Sequence, residues 1–183
     1  MPDVLLVAAT ERELCGQNGL VCGVGPVDAA ATVAAALSDE RPRAVLHAGI
    51  AGARRGSGFP VGAIVVGSEA VYEDRPPTLR LGTRSVVADP ALVALAAACV
   101  GVGPITIGTT ARVGGTSECA VEAMEGFAVL RACQLADVPA VEVRAISNLV
   151  DDARADWRVE EALEALAAVV PALLEALAAV AKR

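Results

Sequence analysis

Aromatic residues are almost absent from this chain: one Trp, one Tyr and two Phe among 183 residues. Positive charge is also short, the formal net charge being −7. Together these shortages exclude the two devices by which proteins grip nucleic acid, a basic face and a stacking platform. There is a single His, and the five cysteines (Cys15, Cys22, Cys99, Cys119 and Cys133) form no Cys-x-x-Cys pair. That excludes a structural zinc centre, and no metal is expected. An odd, scattered set of thiols reads as reduced cysteines packed as small hydrophobes, as in a cytoplasmic protein. No apolar run reaches the roughly 18 residues that span a bilayer, so a soluble chain with no membrane contact is expected. Met1-Pro2-Asp3 lacks the basic lead of a signal peptide.

What the chain has in plenty is Ala, Val and Leu; hydrophobic residues make up 55% of it. The length suits one domain, residues 1–183, with a substantial core. Val4 to Ala9 and Ala44 to Ala48 are continuous apolar runs, the pattern of strands buried on both faces. Leu20 to Cys22, Val61 to Tyr72, Pro104 to Val113 and the β-branched run from Ala140 also read as strands. Helices are predicted from Pro26 to Leu37, Pro90 to Val100, Gly126 to Ala136 and about Trp157 to Ala181. In the last, Leu163, Leu166, Val170, Leu173, Leu177 and Val180 make a core-facing stripe. Glu160, Glu161 and Glu164 complement its start, Lys182 and Arg183 its end, and Pro171 should kink or split it. Gly114-Gly115-Thr116-Ser117 reads as a turn, and Glu73 to Pro77 as a loop. Strands alternate with helices, which predicts an α/β fold around a mixed, largely parallel sheet.

Polar groups at strand ends and helix starts are where such folds meet ligands. Glu122 and Glu125 stand at the mouth of the helix that begins at Gly126. A carboxylate can accept from two neighbouring hydroxyls, so Glu125 suits a sugar diol; it equally suits plain compensation of the helix dipole. Glu13 follows the first strand and could orient and deprotonate a water, or could be one acid of a solvated run, Glu11-Arg12-Glu13. Ser147 and Asn148 end the last strand; the Asn amide can both donate to and accept from a base edge, with Ser147 orienting it, or it can start a turn. His47 lies in an apolar strand and reads as a packed neutral histidine. Asp151 and Asp152 are explained by solvation or capping, and Trp157 could close over a ligand or anchor the core. Gly23-Val24-Gly25-Pro26 could cradle phosphate, but a tight turn before a helix explains it as well.

The ordered set of Ala8-Ala9-Thr10-Glu11-Arg12-Glu13, Gly23-Val24-Gly25-Pro26-Val27, Gly49-Ile50-Ala51-Gly52-Ala53, Met124-Glu125-Gly126-Phe127 and Arg144-Ala145-Ile146-Ser147-Asn148 resembles the nucleoside phosphorylase and nucleosidase superfamily. Within it the chain looks like the methylthioadenosine/S-adenosylhomocysteine nucleosidase type and is most similar to futalosine hydrolases. The resemblance implies a three-layer αβα sandwich and cofactor-free hydrolysis of a purine N-glycosidic bond. It implies Glu13 as the water-activating acid, Met124-Glu125 as the ribose clamp and Asn148 as the purine contact. Ile50, Ala51 and Gly52 would line the site, with Ser147 and Trp157 beside it. It also implies a small-molecule purine nucleoside as substrate and a homodimer or higher oligomer. The chain departs from the family in its length and in a shortened segment from Ala111 to Val121, where the family usually supplies a stacking aromatic and this chain has only Val113, with Phe127 on the following helix, so no stacking residue is assigned. Ala123 occupies the place of an acid two residues before the clamp, unless Glu122 supplies it. A nucleosidase for adenine substrates, a phosphorylase and a catalytically idle nucleotide-binding subunit are the alternative readings. Arg54, Arg55 and Arg75 are, by charge, the candidates for holding an acidic tail on the substrate.

Overall fold

A computed structural model of the chain describes residues 3–39, 41–75, 78, 82–114 and 118–181. Gly115, Thr116 and Ser117 of the expected turn, Pro76 and Pro77 of the expected loop, and Lys182 and Arg183 lie outside the described residues. The elements run β1 (Val4–Ala8), β2 (Leu20–Val21), α1 (Pro26–Asp39), β3 (Ala44–Ala53), β4 (Ile64–Tyr72), β5 (Ser85–Val87), α2 (Pro90–Val100), β6 (Pro104–Thr109), β7 (Val121–Ala123), α3 (Gly126–Leu135), β8 (Ala140–Leu149) and α4 (Val159–Ala181). Short 3₁₀ turns cover Glu11–Leu14 and Arg154–Asp156.

The eight strands form one sheet in the order β2-β1-β3-β7-β6-β4-β5, with β8 paired to both β3 and β4. The pairings β3–β8, β8–β4, β4–β6, β6–β7 and β7–β3 therefore close a ring of strands at the centre of the sheet. Five pairings are parallel and three antiparallel, the mixed, largely parallel sheet expected. Helices α1 and α3 pack on each other, as do α2 and α4, and both pairs cover the sheet. The fold is thus the αβα arrangement expected from the alternating pattern.

Local chemistry explains the boundaries. Asp89 caps α2, its Oδ1 accepting from the N–H groups of Ala91 and Leu92 at 3.0 Å, and Pro90 opens the helix. Gly101, with φ 72°, closes it. Helix α4 stays continuous across Pro171, so of the expected kink or split the split does not occur. Pro171 and Ala167, whose carbonyl loses its intrahelical partner, are both exposed, so water satisfies what the ring removes. Of the predicted stripe, Leu166, Val170, Leu173 and Leu177 are fully buried together with Ala162, whereas Val180 is 42% exposed. By length and composition alone α4 is apolar enough to cross a membrane, although Glu164 and Glu175 interrupt it so that no unbroken apolar run is that long. Here its apolar stripe is spent on β1, β3, β8 and α2.

Two strands depart from expectation in ways that shape the site. β3 does not end at Ala48 but runs on through Gly49-Ile50-Ala51-Gly52 to Ala53. β7, three residues long, is set by its neighbours β3 and β6 and not by its own propensity. Glu122 therefore stands on a strand and not on the mouth of a helix, and only Glu125 occupies the position before α3.

Candidate active site

The C-terminal ends of β1, β3, β7 and β8 meet at a cavity of about 490 Å³. Its floor is charged. Glu13, Glu125, Glu142, Arg144 and His47 are all buried there. Arg144 is the hub: its Nε donates to Glu142 Oε1 at 2.8 Å, and its Nη2 lies 3.5 Å from Glu125 Oε2 and against His47 Nε2. His47 Nε2 must accept from the guanidinium, so its Nδ1 carries the proton and donates to the Val7 carbonyl at 3.1 Å. Burial, with the Arg144 charge beside it, holds the His47 pKa well below the ordinary value, so the ring is neutral. It is the packed histidine expected, fully buried but tied to the site.

Both oxygens of Glu13 are held. Oε1 accepts from the Ile50 N–H at 3.0 Å and Oε2 from the Thr10 hydroxyl at 2.7 Å. The extension of β3 past Ala48 is what aims the Ile50 amide at this carboxylate. Glu125 Oε1 accepts from the Gly25 N–H at 3.0 Å. Burial, the largest influence, raises the Glu125 pKa; Arg144 and the Gly25 amide pull it down, and Glu13 and Glu142 push it up. The opposing effects on Arg144 resolve the other way: burial lowers its pKa, but Glu142, Glu125 and Glu13 outweigh that and raise it. Arg144 Nη1 and Glu142 Oε2 are the floor atoms left without a hydrogen-bond partner among the described residues.

Space for the hub comes from glycine. A Cβ at Gly49 would lie 2.2 Å from Arg144 Nη1 and 2.9 Å from Glu13 Oε1, so those two groups share the space that Gly49 leaves. A Cβ at Gly126 would lie 2.4 Å from both carboxylate oxygens of Glu142. The Gly-x-Gly turn serves the clamp. Gly23 and Gly25 have φ of 84° and 95°, and the Gly25 amide is occupied by Glu125, not offered to a phosphate.

Around the floor the cavity brings together Glu13, Ile50, Ala51, Gly52, Met124, Glu125, Ser147, Asn148 and Trp157, all of the residues expected to form a site, and adds Glu122. The Ser147 hydroxyl donates to Asn148 Oδ1 at 2.8 Å and lies 3.2 Å from the Ala51 carbonyl oxygen. Asn148 Nδ2 donates to the Leu149 carbonyl at 2.9 Å. One amide hydrogen and one lone pair of Asn148 remain for a ligand. Trp157 forms part of the wall, its indole N–H donating to the Asp152 carbonyl at 3.4 Å.

Other expectations are corrected. Phe127 stacks on Tyr72, centroids 5.4 Å apart, and does not line the cavity; Val113 does, at 50% exposure. Arg54, Arg55 and Arg75 do not line it either. Arg55 is paired with Asp151 and Asp152, the loop acids that solvation or capping seemed to explain, and Arg75 donates to the Thr83 carbonyl. Among the described residues, the arginines that do line the cavity are Arg12, Arg112 and Arg154. Sequence reasoning places Arg144 in a motif but gives it no role, and passes over Glu142 and Thr10. The available signal is Glu-x-Arg in an otherwise apolar strand: residues i and i+2 share a face, and buried charges of opposite sign need each other.

Comparison with known proteins identifies the family and the fold. The model of the Phosphorylase superfamily matches residues 17–182. A curated futalosine hydrolase of Streptomyces coelicolor is 39% identical, the match covering 88% of this chain and 80% of that one. A futalosine hydrolase of Thermus thermophilus is 35% identical, covering 85% and 80%. Among solved structures, a futalosine hydrolase mutant of Helicobacter pylori superposes with a TM-score of 0.84 at 16% identity, covering 94% of this chain and 98% of that one.

Proposed function

The chain belongs to the phosphorylase superfamily and, within it, to the futalosine hydrolases, and on that premise we propose that it hydrolyses futalosine to hypoxanthine and dehypoxanthinyl futalosine. It is an N-glycosyl hydrolase. The observation that carries the reading is the convergence of Glu13, Glu125 and Asn148 on one cavity over a buried guanidinium.

The bond breaks through a state with positive charge on the sugar and negative charge on the departing base. The sugar must be held, a water activated and the leaving base stabilised, and three groups suit these roles. Glu125 grips the sugar hydroxyls and, ionised, favours the cationic ribosyl group. Glu13, with each oxygen already held by one donor, presents its remaining lone pairs to a water and takes its proton. Asn148 gives its spare amide hydrogen to the base as charge develops there. No cofactor or metal enters these steps.

Phosphate is a poor rival to water on this floor. Glu13, Glu125 and Glu142 surround one guanidinium, and the Gly25 amide is occupied by a carboxylate. A phosphate brought there meets net negative charge at close range. Asn148 also argues for a base carrying a carbonyl, hypoxanthine, over adenine. The protein acts in the cytoplasm, in menaquinone biosynthesis, as a homodimer or higher oligomer. Light scattering that found a fully active monomer would remove the oligomer.

The test is base release from futalosine by the purified chain, followed by chromatography with and without phosphate. Equal hypoxanthine in both supports hydrolysis. Release only with phosphate would make the chain a phosphorylase and void the role of Glu13. Adenine freed from methylthioadenosine or aminofutalosine, with futalosine untouched, would overturn the reading of Asn148.

A further inference from the structure

The cavity has a second charged zone, opposite in sign to its floor and nearer to solvent. Arg112, on the loop after β6, and Arg154, in the 3₁₀ turn before α4, both line the cavity and are both exposed, whereas the floor acids are buried. Six arginines are held in ion pairs: Arg12 pairs with Glu160, Arg43 with Asp3, Arg55 with Asp151 and Asp152, Arg84 with Glu73, Arg144 with Glu142 and Glu125, and Arg158 with Glu161. Among the described residues no carboxylate lies within ion-pair distance of Arg112 or Arg154. In a chain of net charge −7, two uncommitted guanidinium groups on one cavity rim are an uneven distribution of charge.

The surroundings of the two say what lies between rim and floor. Arg154 rests over the Trp157 ring, 5.4 Å from its centroid, which presets its position. Val113 adjoins Arg112, and Val159 and Leu163 carry the apolar wall onward. One cavity is thus lined by buried acids, by apolar side chains and by two exposed guanidinium groups. We propose that Arg112 and Arg154 form an anion subsite that selects nucleosides bearing an apolar extension ending in a carboxylate. The proposal rests on the nucleoside-site reading above and adds the residues that hold the far end of the substrate. The aromatic carboxylate tail of futalosine has this chemistry, and neutral short-tailed nucleosides lack it. A guanidinium pair takes a carboxylate by charge-assisted hydrogen bonds, and both residues are mouth residues that need not be desolvated before the ligand arrives.

The test compares futalosine with its carboxamide, which has the same shape and no charge, on the native chain and on Arg112→Gln and Arg154→Gln. Each hydrogen-bonded charge pair is expected to carry about tenfold in affinity. The native chain should prefer the acid over the amide, and each variant should lose about tenfold of that preference in kcat/KM. Calorimetric binding of the two compounds gives the same comparison without turnover. An acid-over-amide preference that survives in both variants, or is missing from the native chain, overturns the subsite. Arginine-dependent binding of the acid without any base release would keep the subsite and remove the hydrolase reading. Base release with no dependence on either arginine would do the reverse.

Discussion

Gly49→Ala is the sharpest single test of the buried floor. The added Cβ would stand 2.2 Å from Arg144 Nη1, and ordinary contact begins at 3.4 Å, so the guanidinium would have to retreat by about 1.2 Å. An exposed arginine would simply swing away. Arg144 is fully buried, with Nε held by Glu142 and Nη2 by His47 and Glu125, so a shift on that scale breaks contacts to a buried charge. Breaking a buried pair costs about 3–5 kcal/mol. For a chain of this length about 3 kcal/mol lowers the melting temperature by about 6–12 °C. The same Cβ would lie 2.9 Å from Glu13 Oε1, so the acid moves too. Displacing a reacting group by about 1 Å costs roughly 100-fold in turnover. Calorimetry or thermal melting, run beside hypoxanthine release, reads both effects. A Gly49→Ala protein that melts within about 1 °C of the native chain and keeps half its kcat would refute the argument that Gly49 holds open the space for Arg144 and Glu13.

Other consequences are as direct. Glu13→Gln keeps the shape but cannot take a proton, so kcat should fall by about 10²–10⁴ with substrate binding largely retained; an unchanged turnover number would mean that the water is activated elsewhere. Asn148→Asp should move preference from hypoxanthine toward adenine leaving groups, measured as the ratio of kcat/KM for futalosine and aminofutalosine. Glu125 must be ionised to grip a diol and its pKa is raised, so kcat/KM should fall on acidification at a pH above the ordinary glutamate range. The sign for stability is opposite: with its folded pKa raised, Glu125 favours folding below its ordinary pKa, and that contribution is lost as pH rises through the folded value. Glu142→Gln removes one of the charges that raise Glu125, so the acid limb of kcat/KM should move to lower pH; a limb that stays put would mean that another group controls it.

Much of the fold is legible in the sequence because its long elements obey one period each. β1, β3 and β8 are apolar runs, and α2 carries its own cap, opening proline and closing glycine. β7 escapes because three residues held by neighbouring strands carry no pattern of their own. In the site, Glu13, Glu125 and Asn148 can be picked out, since acids and amides at element ends are visible against an apolar background. Arg144 and Glu142 stand out only as a Glu-x-Arg in an apolar strand that is buried along nearly its whole length, which does not assign them a role. In a strand covered on both faces, alternation does not say which side a residue takes, and the partner of a buried charge is unknown until the strands are paired. The rim arginines are hidden for a different reason. Charge alone favours Arg54 and Arg55, but loop geometry commits Arg55 to Asp151 and Asp152 and puts Arg112 and Arg154 at the cavity.

The register of one strand pair explains why the floor assembles at all. β3 and β8 run parallel with His47 opposite Glu142 and Gly49 opposite Arg144. The two charged residues of β8 thus face the two positions of β3 that can receive them: a neutral imidazole to accept from Nη2, and a residue with no side chain to give the guanidinium room. Slipping the pair by one residue would set Arg144 against Ala48 or Ile50 and turn its charge to the other face. Burying Glu125, Glu142 and Glu13 around a single guanidinium does not favour folding, since each carboxylate loses water and the charges of like sign outnumber the cation. The apolar core built from β1, α1, β3, β8 and α4 has to offset that cost. What the arrangement provides is one carboxylate, Glu125, held against a buried cation, beside a second acid, Glu13, fixed by two donors. Those are the conditions under which one group can grip a sugar while its neighbour deprotonates water, and an apolar replacement for Glu142 or Arg144 would give up both.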